Sequence, residues 1–251
     1  MAPAGWSKRP AAPREEAAIV DVKVPGAATA AELDGYLATP PAGSGPWPGV
    51  VVLHDAFGLT ADTRRHVDRL AAAGYVALAP NLFSARGPRC VTATIRAAMS
   101  GRGPAYDDLE AVRRYLAGRD DCAGRVGVVG FCMGGGFALV AATRGFDAAA
   151  PNYGMMPKGD LAAVFAGACP IVASFGARDV SLRGAAARLD AALTEAGVPH
   201  DVKEYPKVGH SFMNKHPVYS AVGKVLGVGH DEAATNDAYA RILDFFDRHL
   251  R

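Results

Sequence analysis

No stretch of this chain approaches the roughly 20 consecutive apolar residues that a bilayer-spanning helix needs. Its opening, "MAPAGWSKRPAAPREEAA", lacks the continuous apolar core of a secretory signal, so the cytoplasm is the expected location. Charge of one sign is scarce. Twenty-seven Lys and Arg against 25 Asp and Glu leave a formal net charge of +2, with no basic excess of the kind nucleic acid attracts. Cysteine is scarce too: Cys90, Cys122, Cys132 and Cys169 form no CxxC pair and no dense spacing, which argues against a disulfide framework. His54, His66, His200, His216, His230 and His249 show no HExxH or paired Cys/His pattern, so no metal is expected. Internal repeats, heptads and long linkers are also missing.

Half of the 251 residues are hydrophobic and 21% are charged, the balance of a globular protein. The length suits one α/β domain over residues 18–251, preceded by an expected flexible arm over residues 1–17 that is rich in Ala, Pro, Arg and Glu. "AAIVDVKVP" and "ELDGYLATP" read as two short strands, each closed by proline and expected to pair antiparallel. Next come a buried strand in "PGVVVLHD", a helix in "TADTRRHVDRLAAAGY" stopped at Gly74, and a strand in "YVALAPNLF". Residues Ser84 to Gly103 read as irregular. "AYDDLEAVRRYLAG", "RGAAARLDAALTEAG" and "AYARILDFFDRHL" read as helices, and "RVGVVG", "FDAAAPNYG", "CPIVASFGARD" and "HDVKEYP" as strands. This alternation predicts a mostly parallel sheet with helices on both faces.

Within that frame, Gly130-Phe131-Cys132-Met133-Gly134 places a cysteine between a valine-rich strand and a glycine-rich helix start. Gly-x-Cys-x-Gly is the cysteine form of the nucleophile elbow, a sharp strained turn that pushes its central side chain outward. The N-terminus of the following helix favours an anion, whether thiolate or a nearby oxyanion. A structural cysteine beside a glycine-rich packing contact is the competing reading. A nucleophile also needs a base and a group that orients the base, expected in the chain order nucleophile, acid, histidine. Asp179 follows a strand in "PIVASFGARDV", and His210 follows another in "EYPKVGHSFMN". Alone, Asp179 reads equally as a turn or cap residue and His210 as a loop histidine. Together, in the required order and at the strand ends where open α/β sheets build their sites, they read as a triad. The glycine run is not a dinucleotide fingerprint, because Cys132 occupies the second glycine position. No cofactor is expected.

"GFCMGGG", "GARD", "GHSF" and "HDAFGL" together resemble the motifs of the dienelactone hydrolase family of the α/β-hydrolase superfamily, from about residue 20 to the C-terminus. The resemblance implies an α/β-hydrolase fold and a carboxylic ester hydrolase of the carboxymethylenebutenolidase kind, acting on small lactones or activated esters. In it Cys132 attacks, His210 shuttles protons and Asp179 fixes the imidazole. Backbone N–H groups of Met133 and, by resemblance, Ala56 would form the oxyanion hole. The expected partner is a small-molecule substrate, with no nucleic acid or membrane, and the expected state a monomer or homodimer. A broader esterase or thioesterase, or a noncatalytic ligand-binding or redox-sensing relative, is the alternative.

Two positions depart from the family pattern. Asp55 stands where the best-known dienelactone enzymes carry a glutamate that holds the resting thiol, and aspartate is shorter by roughly 1.5 Å of reach. Asn214 stands where they carry an arginine that helps bind the substrate's carboxylate. Lys215, Arg86 and Arg89 are candidates for the missing charge. Phe57, Phe83, Tyr153 and Phe212 are candidates either to line an apolar pocket or to pack the core.

Overall fold

The computed structural model describes residues 18–41, 45–215 and 228–251. The expected arm at residues 1–17 lies outside the described residues. Two strands, β1 (Ala18–Pro25) and β2 (Glu32–Thr39), open the chain as an antiparallel pair, with Ala18 opposite Thr39. β2 then runs antiparallel to β4 (Val76–Pro80), and from there on every pairing is parallel. The remaining strands are β3 (Trp47–Leu53), β5 (Cys122–Phe131), β6 (Ala148–Asn152), β7 (Ile171–Gly176) and β8 (His200–Tyr205). They assemble into one eight-stranded sheet in the order β1-β2-β4-β3-β5-β6-β7-β8. The apolar runs of β3, β4, β6 and β7 are buried almost throughout, as strands covered on both faces must be.

Helices α1 (Ala61–Ala72), α2 (Pro88–Ser100), α3 (Ala105–Ala117), α4 (Met133–Ala141), α5 (Leu161–Phe165), α6 (Ala185–Glu195) and α7 (Glu232–Leu250) surround the sheet. Side chains of adjacent residues on a strand point to opposite faces. Gly49 of β3 faces Leu116 of α3, whereas Gly127 of β5, in register with the next residue Val50, faces Phe246 and Leu250 of α7. So α3 and α7 lie on opposite sides. An eight-stranded, mostly parallel sheet with helices on both faces is the architecture expected of the α/β-hydrolase fold.

One expectation is corrected. The segment Ser84–Gly103 is not irregular, because Pro88 sits in the first turn of a thirteen-residue helix and Gly101 closes it in the left-handed conformation. Its buried contacts come from Thr94, Ala97 and Ala98, small residues whose periodicity is faint in the sequence. The last helix also begins earlier than its apolar spacing predicts, at Glu232, because the Asp231 carboxylate caps it by accepting from the Ala234 N–H.

Candidate active site

The parallel strands bring their carboxyl ends to one edge of the sheet, and the loops there carry Asp55 after β3, Cys132 after β5, Asp179 after β7 and His210 after β8. β5 ends at Phe131 and α4 begins at Met133, leaving Cys132 alone to make the turn. It does so at φ 55° and ψ −112°, a conformation a side chain rarely adopts. Space explains the flanking glycines. A Cβ on Gly130 would lie 1.9 Å from the Gly134 carbonyl oxygen, and one on Gly134 would lie 2.2 Å from that of Leu53. The turn is held by the Cys132 N–H donating to Asn152 O at 3.1 Å and by the Gly136 N–H donating to Cys132 O at 3.1 Å.

His210 Nε2 lies 3.1 Å from Cys132 Sγ, and its Nδ1 lies 2.5 Å from Asp179 Oδ2. Asp179 is buried, and its other oxygen accepts from the Ser181 N–H at 3.0 Å and the Ser181 hydroxyl at 2.6 Å. Burial alone would raise the Asp179 carboxyl; the bonds from His210 and Ser181 outweigh it and hold the group below its ordinary value. For His210, burial opposes the charge, yet contacts with Asp179 and Cys132 prevail and raise it to about 10. The imidazole thus lies between a carboxylate and a sulfur, and both contacts favour its charged form.

Around this line of three, buried groups fix the loops. Tyr153, itself at φ 39°, donates its hydroxyl to Asn214 Oδ1 at 2.6 Å, and the Asn214 amide donates to Asp55 Oδ2 at 2.7 Å. Asp55 Oδ1 accepts from the Phe57 N–H at 2.9 Å. The loops after β3, β6 and β8 are thus joined by one chain of hydrogen bonds. The Tyr153 ring stands edge-on to His210, with centroids 5.4 Å apart, and to Phe212 at 5.3 Å. Ahead of Asp55, His54 is fully buried. Its Nε2 accepts from the Leu82 N–H at 3.0 Å, which makes Nδ1 the protonated nitrogen, donating to Asp55 O at 2.7 Å. Burial lowers its pKa and keeps it neutral.

Cys132, His210 and Asp179 are brought into contact, with Met133 as the first residue of α4, where an N–H has no intrahelical acceptor. Ala56 sits in the turn between Asp55 and Phe57, held at each end by the contacts above. Asp55 bonds Asn214 and the loop backbone. Asn214 is 3% exposed and bridges the loops through its bonds to Tyr153 and Asp55. Tyr153 and Phe212 are fully buried and back the histidine rather than line an open pocket. Phe57 is 43% exposed, and Phe83 tilts against His54 with centroids 4.9 Å apart. Arg86 points into solvent 3.9 Å from Asp34, and with Arg89 it lines a separate cleft of about 370 Å³ beside α2. Lys215 turns to another cavity.

Ser181, Asn152 and the structural use of His54 escape a reading by motif. Only Ser181 carries a sequence signal: an aspartate followed two residues later by serine is a common turn cap. Among the described residues, no group of three or more His, Cys, Asp or Glu is arranged to hold a metal ion, and no helix is long and apolar enough to cross a membrane.

A carboxymethylenebutenolidase of Rhodococcus opacus is 29% identical over 219 residues, covering 80% of this chain and 81% of its own. One from Pseudomonas putida is 30% identical over 180 residues, covering 66% and 75%. Among solved structures, a dienelactone hydrolase-like promiscuous phosphotriesterase from metagenomic libraries superposes with a TM-score of 0.78 at 24% identity, over 93% of this chain and all of its own. A dienelactone hydrolase from Anabaena variabilis gives 0.66 at 19%, over 94% and all of its own. The sequence profile of the dienelactone hydrolase family matches residues 33–250, and the chain belongs to that family, as a hydrolase of the α/β-hydrolase fold.

Proposed function

We propose that this hydrolase cleaves small lactones or activated esters through an acyl-thioester on Cys132. The observation that carries the reading is the unbroken contact from Cys132 Sγ through His210 to Asp179 at the start of α4. His210 Nε2 already holds the proton it shares with the Cys132 sulfur, and the sulfur attacks the carbonyl carbon. The oxygen of the tetrahedral intermediate becomes negative, where the N–H groups of Met133 and Ala56 would receive it. Losing one such donor typically costs about 3 to 4 kcal/mol of transition-state stabilisation. Collapse breaks the C–O bond, and His210 returns its proton to the departing oxygen; in a lactone that hydroxyl or enol stays on the acyl group. Water, deprotonated by His210, then attacks the thioester and releases the acid and the thiol. Asp179 acts through His210, holding the ring's orientation and stabilising it when charged.

The substrate is argued from the buried Asn214. Its amide is committed to Asp55 and Tyr153, so no cation stands there for a substrate carboxylate. This favours neutral lactones and esters over carboxylate-bearing ones, and it is also the observation behind a second reading, a broad esterase or thioesterase. The free state of all four cysteines supports a reducing compartment, the cytoplasm.

The test is p-nitrophenol release from p-nitrophenyl acetate, with and without prior iodoacetamide and in Cys132→Ala. Turnover lost in both supports the reading, and turnover retained in Cys132→Ala refutes it. A panel of neutral and carboxylate-bearing lactones against acyclic esters, compared by kcat/KM, separates the two readings.

A further inference from the structure

A cavity of about 100 Å³ lies between α1, α7 and the segment following His210. Arg65, Arg69 and Lys215 bring three cationic side chains to it, and Glu232 is the one carboxylate among its described lining residues. Asp62, beside it, pairs with Arg65 and accepts from the Lys215 N–H at 3.1 Å. Arg69 is held in place, its guanidinium 3.8 Å above the Tyr239 ring and 3.2 Å from Asn236 Oδ1.

His66 forms the floor. It is 3% exposed and stacks on Phe131, with centroids 3.9 Å apart. Its Nδ1 is bonded to the Tyr239 hydroxyl, while its Nε2 is buried with no hydrogen-bond partner. Asn214 approaches the ring and favours its charged form without making a hydrogen bond of normal geometry to Nε2. With the Tyr239 hydroxyl donating to Nδ1, Nε2 carries the hydrogen and is an unused donor. Nε2 of His230, on the same cavity, is also buried and unpartnered, but its Nδ1 faces Thr235 Oγ1, whose hydroxyl donates to Asp231 O at 2.6 Å, so Nδ1 carries the hydrogen and Nε2 is a lone-pair nitrogen. A buried donor without an acceptor is costly, so His66 Nε2, facing a cavity that Arg65, Arg69 and Lys215 line, marks a place where an acceptor belongs.

We propose that this cavity is a binding site for one small oxyanion, a phosphate, sulfate or carboxylate group, distinct from the thiol site. Guanidinium pairs match the oxygens of such a group in geometry as well as charge. The surrounding field has the sign this needs. Burial, then Arg65 and Arg69, push the His66 pKa down to about 3; burial, then Lys215 and Arg65, lower that of His230. His66 therefore sits neutral in a positive field that an anion would relieve.

The experiment titrates the intact protein with inorganic phosphate, sulfate and acetate at ionic strength matched with chloride, following the His66 and His230 ring ¹⁵N resonances and the melting temperature. Saturable shifts of both rings with phosphate or sulfate, beyond those with chloride, are expected. Saturation by acetate as well would identify a carboxylate-bearing ligand as an equal source. In Arg69→Met the apparent affinity should fall at least tenfold, and Lys215→Met, whose change lies outside the helix packing, repeats the test should the first variant fail to fold. Shifts that match chloride, or affinity unchanged in a folded variant, overturn the proposal. Nothing in this measurement uses turnover, so its failure and failure of the Cys132 reading are separate results.

Discussion

Helix α4 has a cysteine at each end, and the two thiols live in opposite surroundings. Cys132 precedes its first residue, in a strained turn, with an imidazole nitrogen 3.1 Å from its sulfur. Cys169 sits at the far end, where its N–H donates to the Ala142 carbonyl at 2.8 Å. There burial, followed by the Asp147 charge, raises its thiol to about 12. Helix N-termini favour negative charge and C-termini oppose it. Cys122, also buried and without a base, is raised as well. Residue type thus decides little about a cysteine here; the backbone direction around it and one histidine decide its chemistry.

The largest effect that follows is a contrast between thiols. Cys132→Ala should lower turnover by roughly four to six orders of magnitude, whereas Cys169→Ala should stay near wild type, as measured by ester hydrolysis. Comparable loss in Cys169→Ala would break the comparison. Asp179→Asn should cost roughly three to four orders of magnitude in kcat with little change in KM, because His210 loses its orientation while the substrate site is untouched.

Next come the turns themselves. Gly130→Ala should cost on the order of 3 kcal/mol or more in chemical denaturation, since the new Cβ meets backbone that cannot retreat. Gly124→Ala, at φ +86° but with nothing within 4 Å, should cost only roughly 1 to 2 kcal/mol. Equal losses would mean that space at the elbow is not the constraint.

The smallest effect is a pH dependence. The His210 pKa is raised from 6.5 to about 10, so its stabilising contribution is complete below pH 6.5 and is lost as pH rises towards 10. The melting temperature of wild type should therefore exceed that of Asp179→Asn most at near-neutral pH, with the gap narrowing on the way to pH 10 and again in acid, where the Asp179 carboxylate takes up a proton. A gap that widens instead would contradict the coupling.

How much of this was legible before folding differs by kind of signal. The meeting of Cys132, Asp179 and His210 was legible because each couples a chemically demanding residue to a local backbone requirement: glycines around Cys132, and strand ends before Asp179 and His210. The central strands were legible from continuous apolar runs. Helix α2 was not, because alanine and threonine bury themselves without marking a stripe. The role of Asn214 was not either. Its partners Tyr153 and Asp55 are 61 and 159 residues away, and only the folded sheet brings their loops together. The same holds for the cavity on His66, whose lining residues come from α1, α7 and the segment after β8.

The central claim is that the carbonyl carbon of the substrate becomes bonded to Cys132. Acid quenching of the protein within the first turnovers of p-nitrophenyl acetate, followed by peptide mass mapping, tests it directly. An acetyl group on the peptide containing Cys132, absent from those containing Cys90, Cys122 and Cys169 and formed in step with a burst of about one p-nitrophenol per chain, is the predicted result. Steady turnover with no acyl group on Cys132, or acetylation spread over the other thiols, would contradict it.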